Sequence, residues 1–260
     1  MPGAAAGRSG QGLFAAMSRV VLISIGVFSV WWGIITFPVF WRDARLDYTA
    51  DRVLNGEEFK REILQTLLAD ADSAERAWAR PDALRSAAII RLSLAERASV
   101  AENPKPLGPI IDQLDASVRR SLSAAPAEPL LWLALFSLKR MKDDRNKEDF
   151  AYLRMSYLVG PHEGWVARRR NYIALANFPE LPQDVAEAAL TEFKDLVVSG
   201  YYPTAVKILV GPGWPIHDML LRRLEDAPDE ARRRFALSAD ELGYEIAVPG
   251  VERPDPRPWR

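Results

Sequence analysis

Residue type and spacing suggest chemistry at few places in this chain: two histidines, several arginine runs and one glycine–proline loop. His162 lies in Gly160-Pro161-His162-Glu163-Gly164-Trp165. A zinc-protease helix needs a second histidine four residues on, and Val166 stands there. His217, beside Asp218, follows Trp214-Pro215. A metal site needs three or four converging ligands, and the chain has two histidines and no cysteine. Gly211-Pro212-Gly213-Trp214-Pro215 has the glycines of a phosphate cradle. Its prolines remove two backbone donors, and no Lys-Ser/Thr follows. It reads as a rigid turn. No serine sits in a G-x-S-x-G elbow. The chain is therefore expected to have no catalytic, cofactor or metal site, and the alternative of an enzyme rests on carboxylates converging from distant segments.

The arginine runs in the second half of the chain are Arg168-Arg169-Arg170, Arg222-Arg223 and Arg232-Arg233-Arg234. Successive helical residues fan out by about 100°, so a triplet does not make one face. Acids beside the later runs, Glu225, Asp226, Asp229 and Glu230, point to surface ion pairs there. The first run, with Trp165 and Tyr172 nearby, is the candidate partner-binding group. Guanidinium forks and aromatic faces there suit an acidic protein or an anionic polysaccharide. A net charge of −1 argues against a nucleic-acid partner. The lack of cysteine excludes disulfides and thiolate chemistry and leaves the compartment open.

The elements that must position these residues begin with residues 20–41, VVLISIGVFSVWWGIITFPVFW, which carry no charge. At about 1.5 Å per residue they span a hydrocarbon core of about 30 Å. Arg19 and Arg42 bracket the run, Trp41 stands at an interfacial position, and no small-residue cleavage site follows. An uncleaved transmembrane helix is expected, with Pro38 near its end. The flanking cations tie: Arg8, Arg19 and the α-amine against Arg42, Arg45 and Arg52. A short tail before a large domain is the shape of a signal anchor, which places the domain on the non-cytoplasmic, periplasmic side. Residues 1–19 are expected to be a flexible tail and residues 248–260, with four prolines, an extended one.

Between them, residues 42–247 read as helices. Apolar stripes at helical spacing mark 57–69, 83–100, 110–122, 130–141, 150–159, 165–178, 184–199, 204–210, 216–225 and 229–237. Residues 130–141 are apolar nearly all round and should be the most buried. Asp184 is the expected N-cap of its helix, and Gly200 ends it. Strand signals are scarce.

A repeat runs through this series. SLSAAPAEPLLW and SYLVGPHEGW align Ser121 with Ser156, Pro126 with Pro161 and Glu128 with Glu163, each 35 residues apart. Trp132-Leu133-Ala134-Leu135 has the W-x2-L start of the tetratricopeptide (TPR) pattern, with Pro126 six residues ahead where a previous repeat closes. The segment 110–178 resembles the TPR family. It departs at Phe136 and Lys139, where that pattern has glycine and tyrosine, and Trp165 falls at offset 33, followed by Arg168. The resemblance implies an all-α fold: a right-handed array of antiparallel helix pairs behind a membrane anchor. With the anchor expected at 20–41, it points to a scaffold or adaptor that binds a protein partner in a bacterial-type envelope complex. The alternatives are a non-repetitive bundle for the fold, and a binding module in envelope polysaccharide assembly for the function.

Overall fold

The computed structural model describes residues 6–54, 57, 59–76, 80–100, 107–141 and 146–252. Among these the fold is all-helical, with no strand. The α-helices are α1 (Ala6–Leu54), α2 (Arg61–Arg76), α3 (Pro81–Val100), α4 (Leu107–Ala124), α5 (Pro129–Met141), α6 (Phe150–Val159), α7 (Gly164–Ala176), α8 (Gln183–Val198), α9 (Tyr202–Val210), α10 (His217–Arg223) and α11 (Asp229–Glu241). Much of the expected extended tail, at 253–260, lies outside the described residues, as do 1–5.

Helix α1 contains the one stretch among the described residues long and apolar enough to cross a membrane, and none of it is buried against the protein. The helix overruns its expected limits at both ends. Ala6 to Arg19 are helical rather than a flexible tail, because adding turns to an existing helix costs little beside nucleating one. Past Trp41 the helix continues without a linker, through Pro38 and on to Leu54. There its pattern changes: Asp43, Leu46 and Ala50 are buried at i, i+3, i+7 spacing. Leu46 of this amphipathic end joins Leu64, Leu67 and Ala71 of α2 and Ala83, Ala87 and Ile90 of α3 in a small core, while Ala50 belongs to the larger one. The apolar run and the start of the domain thus share one continuous helix.

The larger core runs from α3 to α11. From α3 onward most helices pack on their successor and on the helix after that: α3 on α4 and α5, α5 on α6 and α7, α7 on α8 and α9. Helices α6 and α8, α8 and α10, and α9 and α11 also meet. Helix α5 buries eight of its 13 residues, as its all-round apolarity requires.

The two repeat copies form matching turns. Glu128 and Glu163 each precede a helix, and their carbonyls accept its first amide bonds, from Leu131 and Trp132 and from Val166 and Ala167. Gly160 sits so close to Pro129 that a Cβ there would lie 2.5 Å from the proline Cγ. The correspondence then fades. Ser156 donates to the Pro129 carbonyl at 2.8 Å, whereas the buried Ser121 hydroxyl has no partner among the described residues. Helix α8 ends at Gly200, φ +83°, with Gly200 and Tyr201 amides returning to Val197 and Leu196 carbonyls. Asp184 does not cap this helix. Pro182 occupies the cap, and the Asp184 carboxylate is held from α6 by Arg154 Nη2 at 2.9 Å.

Candidate functional site

The expected partner-binding group does not converge. Helix α7 turns its three arginines three ways. Arg168 is exposed and lies over the Tyr201 ring, 5.3 Å from its centroid. Arg169 crosses to α3 and pairs with Glu96. Arg170 is fully buried. Its Nε and Nη2 donate to Glu192 Oε1 of α8 at 3.0 and 2.6 Å, Nη2 also to the Gly160 carbonyl at 3.0 Å, and Nη1 to the Ser156 carbonyl at 2.5 Å. Its guanidinium lies over the Tyr157 ring at 4.2 Å. Arg170 thus ties α6, α7 and α8 together and reaches no partner. Beside it Asn171 donates to the Ala189 carbonyl at 2.7 Å. Tyr172 is exposed beside Gly211, on another face of α7 from Arg170. A helical triplet cannot face one way, and the member turned inward was not identifiable without knowing where α8 lies.

Trp165 and Arg169 do meet, in a groove. A cavity of about 460 Å³ is lined by Val53 and Leu54 of α1, Leu92 and Glu96 of α3, and Trp165 and Arg169 of α7, with Leu130 at the start of α5. A second cavity of about 180 Å³ continues it along α5, past Leu133, Ser137 and Met141, to Ile173. The Glu96–Arg169 pair borders both. The groove is apolar at its floor and charged at its edges, where Arg97 also stands. It runs across α3, α5 and α7, the alternate helices of the series. Trp165, Arg169 and Ile173 at i, i+4, i+8 were the one trace of it in the sequence. Its other residues come from segments up to 120 positions apart and carried no local signal.

A smaller, more polar cavity of about 240 Å³ lies between α7 and α8, with His162, Glu192, Asp195, Ser199 and Tyr201 on its wall. Burial pushes the Glu192 carboxyl above its ordinary pKa, and Arg170 pulls it back. Burial and the Glu192 charge push the Tyr157 phenol well up. Glu192 is enclosed, and its Oε1 is committed to Arg170. It acts as a structural counter-ion.

His217 stacks on Trp214 at 4.5 Å, and its Nδ1 lies 2.8 Å from the Trp214 carbonyl. Among the described residues no three His, Cys, Asp or Glu side chains are grouped to hold a metal. The Gly211–Pro215 loop is a packed turn: a Cβ on Gly213 would lie 2.7 Å from Leu220 Cδ1.

Comparison with known proteins finds no matching family model, no matching curated protein and no matching solved structure.

Proposed function

We propose that this chain is a single-pass membrane protein whose TPR-like helical domain binds a protein partner and organises a complex at a bacterial-type envelope. The observation that carries this is the groove across α3, α5 and α7. In an array of antiparallel pairs the first helices of successive pairs line the inner surface, and such surfaces bind extended or helical segments. The packing of helices on their next-but-one neighbours supports the array, and the matching turns before α5 and α7 support the pairing. An apolar floor with a charged rim suits an amphipathic segment. The anchor supports a local task, because it confines the search for partners to one membrane. Polymer binding loses support, since a basic strip through Arg168, Arg169 and Arg170 would need all three at the surface.

The test is a photo-crosslinking residue placed at Ile173 or Trp165 of the full-length protein in its native membrane, with Leu237 as the control on a distant helix. One stoichiometric protein adduct from the groove positions and none from Leu237 is expected. Equal adducts from all three, or only lipid and polysaccharide adducts, would refute protein binding in the groove.

A further inference from the structure

We infer that the facing ends of α2 and α3, at Arg76 and Arg80, are seated in the phospholipid headgroup layer, where these two arginines engage lipid phosphates and hold the domain at a fixed attitude on the membrane. The inference rests on α1 crossing the bilayer and adds a second contact to it.

The geometry follows from the register of α2 against α1. Arg45 meets Asp70 at 3.7 Å, and Arg42 Nη1 donates to Ser73 Oγ at 3.2 Å. Three residues down α1 match three residues along α2, so the helices run antiparallel at equal pace. One further step of three brings Arg76 level with Val39. That is about 4.5 Å below Arg42 at 1.5 Å per residue, beside the apolar run rather than above it. The start of α3 agrees: the Arg80 guanidinium lies over the Phe40 ring, 4.9 Å from its centroid. The uncharged run is about as long as a hydrocarbon core of about 30 Å, so Phe40 and Trp41 stand at its boundary and the adjoining layer is headgroup. Arg76 and Arg80 cannot be at this level and also in bulk water.

The side chains at this level suit phosphate. Arg42 grips the buried Asp43 carboxylate through Nε and Nη2, at 3.0 and 2.7 Å. Arg80 approaches the other Asp43 oxygen and Asp82, each at 3.7 Å, and its side chain is 42% exposed. Exposed Arg76 has no acidic partner among the described residues. Three guanidiniums therefore face two carboxylates, one of them buried, and the surplus is cationic. Guanidinium forks bind phosphate bidentately, and arginines beside a membrane extend toward that layer.

The cysteine-free chain makes the test direct. Full-length protein in bilayer discs carries one spin label, through Val30→Cys in the span, Pro81→Cys at the start of α3 or Leu237→Cys on α11. Power saturation with oxygen and a water-soluble nickel chelate reads depth. The nickel-to-oxygen accessibility ratio at Pro81 is expected to lie between the low value at Val30 and the high value at Leu237. Arg76→Ser with Arg80→Ser should raise it to the Leu237 value. A Pro81 ratio equal to that of Leu237 while Val30 stays low would overturn the inference and leave the span intact. A high ratio at Val30 would instead overturn the span, and the inference with it. A Pro81 ratio unmoved by the arginine changes would overturn the phosphate contacts.

Discussion

Arg170 is where stability should respond most sharply. Replacing it with alanine removes a guanidinium that is fully buried and donates to a carboxylate, two carbonyls and a hydroxyl. What remains is worse than a cavity, because Glu192 keeps a charge with no counter-ion and the Ser156 and Gly160 carbonyls lose a donor. Breaking a buried pair from one side costs about 3–5 kcal/mol. That is a large part of a typical stability of about 5–15 kcal/mol, and more than a hundredfold in the unfolding constant. Arg169→Ala breaks a half-exposed pair and should cost less than about 1 kcal/mol. Arg168→Ala, which loses a surface ring contact, should also stay under about 1 kcal/mol.

The assay is urea unfolding of the full-length protein in detergent, followed by circular dichroism, with each variant's slope checked against the parent. A second arm isolates the charge. The Glu192 carboxyl is raised in the fold, so its protonated form contributes stability that is complete below the ordinary glutamate value of about 4.3 and lost as pH rises through the folded value. Without Arg170 that upward push is unopposed by the guanidinium. The Arg170→Ala deficit should therefore be larger at neutral pH than near pH 4. The paired change Arg170→Met with Glu192→Leu should recover most of the loss, since apolar replacements of a buried pair are often neutral. A deficit for Arg170→Ala no larger than for Arg169→Ala, or one independent of pH, would refute the reasoning.

Other expectations follow from single contacts. Leu46→Ala, at a fully buried position joining α1 to α2 and α3, should cost about 2–5 kcal/mol and speed hydrogen exchange in α2 before α8. Gly160→Ala should destabilise by about 1–3 kcal/mol through its clash with Pro129, read as a lowered urea midpoint. Gly200→Ala, at φ +83°, should cost about 1–2 kcal/mol by the same assay. Ile173→Arg, on the groove wall, should abolish partner crosslinking while the urea midpoint stays near the parent value, and retained crosslinking would move the site elsewhere.

Helix existence was legible because it depends on neighbours in sequence. Apolar stripes set the helices from α3 to α9 to within a few residues, and the charge-free run marked a helix long and apolar enough to cross a membrane. Gly200 marked the end of α8 because only glycine takes a positive φ cheaply. The turns before α5 and α7 could be matched from Pro126, Glu128, Pro161 and Glu163 alone. Where a side chain's partner comes from a distant segment, the sequence was silent. The last three turns of α1 look like any charged amphipathic stretch until Leu46 and Ala50 meet α2 and α3. Asp184 has the type and position of a cap, yet Pro182 takes the cap and Arg154 takes the carboxylate. Arg168, Arg169 and Arg170 are identical by type. One stacks at the surface, one pairs across the groove and one is enclosed, because successive residues of a helix point about 100° apart and only tertiary packing decides what lies in each direction. The groove itself belongs to no segment: its walls are three alternate helices and the end of a fourth, brought together by burial of apolar area, which has no preferred sequence separation.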